Sequence, residues 1–209
     1  EQVIVQKWQR SRGQVAGFVR TNFFKRLSSC GHSYHLSLAR HIARNELFLY
    51  ALGSGLALPT GTVVDEMFAS TDTDVDDDAG SEATPQEQYD ALVARNPTSV
   101  TWVRADLFTA ELTKRLQSDT DALKSLLHSY GPWASEQDSK MAALVELLTV
   151  THPDEKVLIF TEYKDTADYI TSTLLAAGVT AVGSATGETE NPTRLAERFS
   201  PQSNALPGE

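Results

Sequence analysis

Apolar residues recur at three- and four-residue steps through the first part of the chain, which is the spacing of one helix face. This spacing predicts helices over residues 17–29 and 34–52. Gly31 separates the two, and we expect it to lie in a left-handed conformation just past the end of the first helix. The capping box Thr84-Pro-Gln-Glu87 starts a third predicted helix, and a leucine stripe predicts a fourth over residues 106–130.

The pattern changes in the last third of the chain. A helix that starts at Asp138 leads to residues 157–160, a continuous apolar run typical of strands buried inside parallel sheets. A helix over residues 165–177 then leads to a second short apolar run at 179–182, and Asn191 caps a last helix. Helix, strand, helix, strand is the order of an α/β fold, so we expect the two runs to pair as parallel strands.

An acidic stretch lies between the helical segments. Residues 71–82 contain almost nothing that could enter a core, which predicts a flexible linker. Their aspartates do not combine with glycine and glutamate in the spacing of an EF-hand loop, so no metal site is predicted. Four regions follow, namely a helical region (1–64), the acidic linker (65–83), a second helical region (84–135) and the α/β region (136–209).

The composition is that of an ordinary globular protein, with 41% hydrophobic and 22% charged residues. No apolar run approaches the roughly 18 residues of a membrane span, and the N-terminus has no secretory signal pattern. The single cysteine, Cys30, excludes an intramolecular disulfide and is typical of a reducing cytoplasm. A first residue other than Met and a loop-like last segment favour a piece of a longer protein.

The net charge of −10 is unevenly distributed. Residues 1–44 carry +7, residues 45–94 carry −11 and the remaining 115 residues carry −6. The overall sign argues against a dedicated nucleic-acid-binding domain, whereas the basic first segment would tolerate phosphates nearby. The alternative, a solvated helical surface that faces acidic neighbours, stays open.

Three segments carry a family signal. They are Asp138-Ser-Lys-Met141 followed by Lys156-Val-Leu-Ile-Phe-Thr-Glu-Tyr-Lys-Asp-Thr-Ala167, then the stretch from Gly187 through Arg194 to Phe199, and upstream Arg20-Thr-Asn-Phe-Phe-Lys-Arg-Leu-Ser-Ser29. The first two resemble the entry to the second RecA-like lobe of Swi/Snf-like superfamily II helicases, from the helix before motif IV towards motif V. The third is similar to the helix that joins the lobes in the RapA-like bacterial branch. Together they cover roughly half of the chain.

The resemblance implies a fold, a function and partners. Residues 136–209 would form a partial RecA-like unit, a three-layer parallel-sheet fold of the P-loop NTPase type. The parent protein would be an ATP-dependent helicase or translocase that binds ATP, Mg²⁺ and double-stranded DNA in a bacterial or archaeal cytoplasm. This chain's other partner would be the first RecA-like lobe of the same polypeptide. The sequence has no G-x-x-x-x-G-K-[ST] cradle, metal-holding acidic box or arginine finger, so we expect no catalytic residue, no cofactor of its own and no activity alone.

The resemblance also implies contacts to a nucleic-acid backbone, which in such helicases runs past the loops after the strands of the second lobe. The implied residues are Thr161, Lys164, Gly187 and Asn191. A hydroxyl can donate to a phosphate oxygen, an ammonium supplies charge, a glycine permits close approach, and a helix start offers N–H groups. Each residue has a plain structural alternative, as a strand end, a solvated lysine, a turn or a cap, and adjacent glutamates weaken the phosphate interpretation.

Five basic residues are expected either to brace the interface between the lobes or to lie near the duplex: Arg20, Lys25, Arg26, Arg40 and Arg44. The Cys-Gly-His-Ser-Tyr-His run that starts at Cys30 offers too few ligands for structural zinc and no base for a thiol nucleophile. We therefore predict no metal or covalent site there.

Two other functions stay open. The chain could be a non-enzymatic protein-interaction module with an α/β scaffold, or a doubly wound enzyme for which the glycine turn at 183–187 would have to follow a strand. The expected parallel pairing of residues 157–160 with 179–182 is the feature on which the helicase resemblance depends.

Overall fold

The structure is a computed structural model that describes residues 20–61, 83–95 and 100–204, and these residues are mostly helical. In chain order the helices are α1 (described from residue 20 to 29), α2 (Gly31–Gly53), α3 (Pro85–Arg95), α4 (Ala110–Tyr130), α5 (Ser139–Glu146), α6 (Lys164–Ala176), α7 (Pro192–Phe199) and α8 (Pro201–Asn204). A π-helical turn, Leu147–Thr151, continues α5. Short 3₁₀ turns cover Ala105–Leu107 and Ser135–Gln137.

Helix α2 is the centre of the first half of the molecule. It packs against α3, α4 and the strand β1 (Leu58–Thr60), around a buried core of Leu47, Ala51, Leu58 and Tyr89. Leu47 is 1% exposed, and burying a leucine to this degree contributes about 1.5–3 kcal/mol to stability.

The sheet of the described residues has two short strands. β1 pairs antiparallel with β2 (Thr101–Val103), and Pro59 lies opposite Trp102. The Thr60 hydroxyl donates to the carbonyl oxygen of Thr101 at 2.8 Å. This small sheet, which covers one end of α2, is not among the predicted elements.

The predicted capping box is confirmed. The Thr84 hydroxyl accepts from the Glu87 main-chain N–H at 3.3 Å, and the Glu87 carboxylate accepts from the Thr84 N–H at 2.7 Å. The Thr84 hydroxyl also donates to the Glu87 carboxylate at 2.8 Å. The two bonds that this carboxylate accepts, the one from the main-chain N–H first, hold the pKa of the Glu87 carboxyl below its usual value. The predicted helix over 106–130 is also present as α4, and Gly131 ends it at φ 72°.

The second half of the molecule is built on α6, which packs against α2 and α5. Its small buried cluster consists of Cys30, Met141 and Tyr169. Asp138 caps α5 by accepting from the Met141 N–H at 3.0 Å, as the sequence predicts.

The predicted role of Gly31 is wrong. Helix α2 starts at Gly31, and only Cys30, in extended conformation at φ −159°, separates it from α1. A Cβ on Gly31 would lie 2.4 Å from Cη2 of Trp133. Glycine is therefore required by the close approach of an indole ring, which lies too far along the chain for local spacing to reveal it.

The predicted parallel strands are also wrong. Neither residues 157–160 nor residues 179–182 form a strand, and within the described chain only β1 and β2 pair. The apolar run at 157–160 has the composition of a buried strand, yet its side chains are exposed. Composition carries no information about which neighbour would supply the hydrogen bonds. The α/β expectation thus reduces to a helical fold with one small antiparallel sheet.

The acidic linker predicted over 65–83 lies outside the described residues except for Ala83, and so does the start of the helix predicted over 17–29. In the part of the chain that the structure describes, no helix has both the length and the apolar character needed to cross a membrane.

Candidate functional site

A buried ion cluster joins the two halves of the molecule. The guanidinium groups of Arg26 in α1 and Arg40 in α2 both bind the carboxylate of Asp165, in the first turn of α6. The N–O distances are 2.9 Å from Arg26, and 2.8 and 3.1 Å from Arg40. The three residues are only 4%, 5% and 9% exposed, respectively. We call Arg26, Arg40 and Asp165 the junction cluster.

Hydroxyl groups extend this contact. Ser33 in α2 shares a hydrogen bond of 2.7 Å with Thr166, and Ser29 in α1 shares one of 3.2 Å with the same hydroxyl. Ser33 and Thr166 are buried at 0% and 4% exposure. Because the Asp165 carboxylate and the Ser33 and Thr166 hydroxyls are hydrogen-bonded, the low dielectric of the interior strengthens the contact and penalises other placements of α6.

A second set of contacts supports the junction from outside. The Arg26 guanidinium lies over the ring of Tyr163, 4.5 Å from its centroid. The Lys140 ammonium donates to the carbonyl oxygens of Ser28 and Ser29 at 3.0 and 2.6 Å, at the end of α1, where a cation is favoured by the helix dipole. The segment that follows residues 157–160 is thus tied to α1 as well as to α2.

Sequence reasoning names Arg26 and Arg40 but misses Asp165. The signal for Arg40 is its position, because it lies seven residues before Leu47 on the buried side of α2. An arginine on a buried helix face has to be paired. The pattern does not identify the partner, since Asp165 lies in a different half of the chain.

Among the basic residues expected at a lobe interface or near a duplex, three have different surroundings, namely Arg26, Lys25 and Arg20. Arg26 is inside the junction cluster, so a contact between Arg26 and nucleic acid would require this cluster to open. Lys25 is exposed and its ammonium lies 3.0 Å from the carboxylate of Glu162, which raises the pKa of Lys25. Arg20 is exposed, with its guanidinium 5.6 Å from the ring centroid of Phe24.

Of the four residues predicted to contact a nucleic-acid backbone, the fold brings Lys164 and Gly187 close together. Lys164 forms an ion pair with Glu188, which neighbours Gly187 in a turn. Both side chains are about one-third exposed, at 28% and 34%. The turn at Gly187 therefore lies beside the start of α6, although 23 residues separate Gly187 from Lys164 along the chain.

The other two residues make local contacts. The Thr161 hydroxyl accepts from the main-chain N–H of Tyr163 at 3.4 Å. The Asn191 side chain accepts from the N–H of Arg194 at 3.0 Å and caps α7, as its structural alternative predicts. Both residues are exposed, and the assignment of all four residues to nucleic-acid contact stays a prediction.

An open cleft of about 360 Å³ lies along the later turns of α6, where Tyr169, Ser172 and Thr173 line it. His32 stacks on Tyr169 with ring centroids 4.5 Å apart, and the Trp133 indole N–H donates to the Tyr169 hydroxyl at 3.2 Å. That hydroxyl donates to Asp138 at 3.2 Å. Burial lowers the pKa of His32, which keeps the ring neutral near pH 7. Because these aromatic side chains pack on and hydrogen-bond to each other, we interpret the cleft as the border of a packing contact and not as a ligand site.

Burial has a larger effect at His41, in the middle of α2. Desolvation, followed by the nearby Arg44 guanidinium, lowers the pKa of His41 to about 4. Arg44 donates to Nδ1 of His41 at 3.1 Å, and the ring of Phe23 meets the imidazole edge-on with centroids 5.6 Å apart. His41 is thus a neutral, packed side chain.

No group of three or more His, Cys, Asp or Glu side chains within residues 20–61, 83–95 and 100–204 is arranged to hold a metal ion. No protein-family model matches the chain, and neither a curated protein nor a solved structure is significantly similar to it. The helicase resemblance is therefore a hypothesis that rests on the sequence motifs alone, because the parallel pairing on which it was expected to depend is absent from the described residues.

Proposed function

We propose that this chain is part of an ATP-dependent Swi/Snf-like helicase or DNA translocase. In it the chain would couple the two motor lobes and contact the nucleic-acid backbone, without an ATP-hydrolysing site of its own. ATP and Mg²⁺ would bind to the rest of the parent protein, because the sequence contains no phosphate cradle or metal-holding box.

The observation that carries the proposal is the junction cluster. Arg26 belongs to the segment that resembles the helix between the lobes, and Asp165 belongs to the segment that resembles motif IV. The two are joined by a buried contact of 2.9 Å. A motor needs a stiff connection between the part that moves and the part that contacts its track, and a buried cluster in which two guanidinium groups bind one carboxylate is such a connection.

The exposed loops supply suitable groups for the track. Lys164 already binds one carboxylate, that of Glu188, and an exposed or partly exposed pair of this kind is weak enough to exchange for a phosphate oxygen. Thr161 and Gly187 flank the same surface of α6. A duplex phosphate would replace Glu188 at Lys164 without a change in the fold.

The proposal draws no support from the sheet, because the expected pairing of residues 157–160 with 179–182 is wrong. Consecutive elements of a sheet are neighbours only about two-thirds of the time, so another strand can lie between them in a complete lobe. Under the proposal both runs are strands that gain their neighbours from other parts of the parent protein.

The test compares this chain with the complete parent in an ATPase assay, with and without double-stranded DNA. We expect DNA-stimulated turnover by the parent and none by the chain. Turnover by the purified chain would contradict the missing-site argument. A parent whose turnover ignores DNA would contradict the translocase proposal.

The nucleic-acid contact has its own test on the chain. Lys164→Ala should weaken binding to a duplex in fluorescence anisotropy and reduce the slope of log K against log salt by about 1. Lys114→Ala is the matched control, because Lys114 is an exposed lysine on α4. Equal effects of the two substitutions would remove Lys164 from the interface.

A non-enzymatic protein-interaction module is the second candidate function. The observation that favours it is the apolar run at residues 157–160, which the fold leaves exposed. Melting experiments with ATP, with a dinucleotide and with duplex DNA separate the candidates, since a pure interaction module should respond to none of them.

A further inference from the structure

Residues 157–160 are four consecutive apolar side chains that the fold does not cover. Val157, Leu158, Ile159 and Phe160 are 38%, 61%, 37% and 87% exposed, respectively. The exposure alternates with a period of two residues, as in a strand with one half-covered face and one open face. The chain runs without helix, turn or bend from residue 156 to 161.

The main chain of this segment is open as well. Among the described residues, no main-chain hydrogen bond involves residues 157–160. A strand-like segment with free N–H and C=O groups and apolar side chains is a template for pairing with another strand.

The segment is held in place at both ends. The Lys156 ammonium donates to the carbonyl oxygen of Phe199 at 2.6 Å, and Asp165 fixes the start of α6 shortly after the segment ends. Because α6 is fixed directly after the segment, the carboxyl end of the segment is already ordered, and less conformational entropy remains to be lost when a partner strand binds.

We propose that a second copy of this chain pairs with the segment as an antiparallel strand, around a two-fold axis at Ile159. In this register Lys156 of each copy lies opposite Glu162 of the other, and Leu158 lies opposite Phe160. All four residues are on the same, more open face of the strand. The interface is isologous, as closed dimers require.

Charge complementarity selects both the partner and the register. A parallel, in-register pair would place lysine near lysine and glutamate near glutamate, which is unfavourable. Moving the axis to Leu158 or Phe160 would place a charged side chain opposite an apolar one. A one-residue slip would exchange the two faces of the strand. Only the register centred on Ile159 opposes unlike charges twice.

The new pairs would replace existing weak ones. Glu162 now contacts Lys25, with both side chains more than half exposed, and such pairs contribute little. The inference does not rest on the proposed helicase function. In a complete motor lobe, that lobe's own strands would occupy the same edges, so the pairing describes this chain by itself.

The experiment is sedimentation velocity of the 209-residue chain over about 1–300 µM. We expect a monomer–dimer equilibrium with a dissociation constant of about 10–100 µM, because a contact of this size is small and transient. Lys156→Glu alone and Glu162→Lys alone should each weaken the dimer about tenfold, since each places like charges opposite each other twice.

The double variant, Lys156→Glu with Glu162→Lys, should restore the dimer to within about threefold of the original. This rescue is specific, because the internal contact of Glu162 with Lys25 stays broken in the double variant. Phe160→Ser should abolish the dimer and leave the monomer folded, since Phe160 is 87% exposed. Lys114→Glu on α4 is the control, and circular dichroism verifies that each variant folds.

A chain that stays monomeric up to the highest concentration would overturn the proposal. A dimer whose dissociation constant is unchanged by Phe160→Ser would also overturn it, because the contact would then lie on another surface. So would a double variant whose dimer is as weak as those of the single variants, because the register would then be a different one.

Discussion

Replacing Asp165 by alanine tests the junction cluster directly. The substitution removes the carboxylate that lies 2.9 Å from Arg26 and 2.8 Å from Arg40, and both arginines are about 95% buried. Removing one partner from a buried pair costs about 3–5 kcal/mol, because the remaining charge stays in the interior. For a chain of this size that loss corresponds to a melting temperature lower by roughly 10 °C.

The measurement is urea and thermal unfolding followed by circular dichroism at pH 7. Glu162→Gln is the matched control, because Glu162 is an acid three residues earlier whose ion pair with Lys25 is exposed. We expect the control to change the free energy of unfolding by less than about 0.5 kcal/mol. Asp165→Asn keeps an acceptor and loses the charge, so its loss of stability should fall between the two.

Equal stabilities of Asp165→Ala and Glu162→Gln would refute the reasoning. That result would mean that the contacts to Arg26 and Arg40 contribute no more than surface pairs, and that α6 is held on α2 by the apolar cluster alone. Under the proposed helicase function, the same Asp165→Ala substitution in the parent protein should reduce the coupling of ATP hydrolysis to translocation more than it reduces hydrolysis itself.

Two further predictions concern α2. Gly31→Ala should lower the free energy of unfolding in urea by about 1–3 kcal/mol, because its Cβ would lie 2.4 Å from Trp133. Gly53→Ala is the control and should be neutral or slightly stabilising, since its Cβ meets nothing within 4 Å. Equal losses of stability in the two variants would refute the packing argument. His41 has its pKa lowered to about 4, so the unfolded chain binds the extra proton between about pH 6.5 and pH 4. The free energy of unfolding should fall by about 3 kcal/mol as the pH falls through this window. His41→Gln should flatten that part of the curve of stability against pH. An unchanged slope in this variant would show that His41 is not the group that titrates.

Local sequence signals were sufficient to predict structure where the interacting residues are close together along the chain. The capping box at Thr84 and Glu87 and the glycine end of α4 depend on residues within one turn, and both are present as predicted. Gly31 shows where such reasoning stops. A glycine between two helical patterns predicts a helix end. In the structure, however, glycine is required at this position because Trp133 packs against it, and only folding brings Trp133 near.

The candidate site was predictable to the same limited degree. Lys164 and Gly187 come from a motif resemblance, and the fold places them side by side through Glu188. The partner of Arg26 was not predictable, because pairing across the chain depends on how α6 docks. The apolar run at residues 157–160 is the reverse case: its composition indicates burial, but a strand also needs a hydrogen-bonded neighbour, and composition does not name one.

The way α6 is attached bears on what the junction can do. Apolar burial between the halves is small. Among the described residues, the shared cluster consists of Cys30, Met141 and Tyr169, with Leu144 and Ile170 packed against it. Polar contacts are more numerous there, and they require defined directions. Apolar surfaces tolerate sliding, whereas two guanidinium groups from two helices meet one carboxylate in a single arrangement. The junction therefore fixes orientation more strongly than it adds free energy, and this is the property that the proposed role, a connection between motor lobes, would require. A hydrophobic replacement of the whole cluster, with leucine at Arg26, Arg40 and Asp165, should therefore leave stability nearly unchanged and, in the parent, still impair coupling.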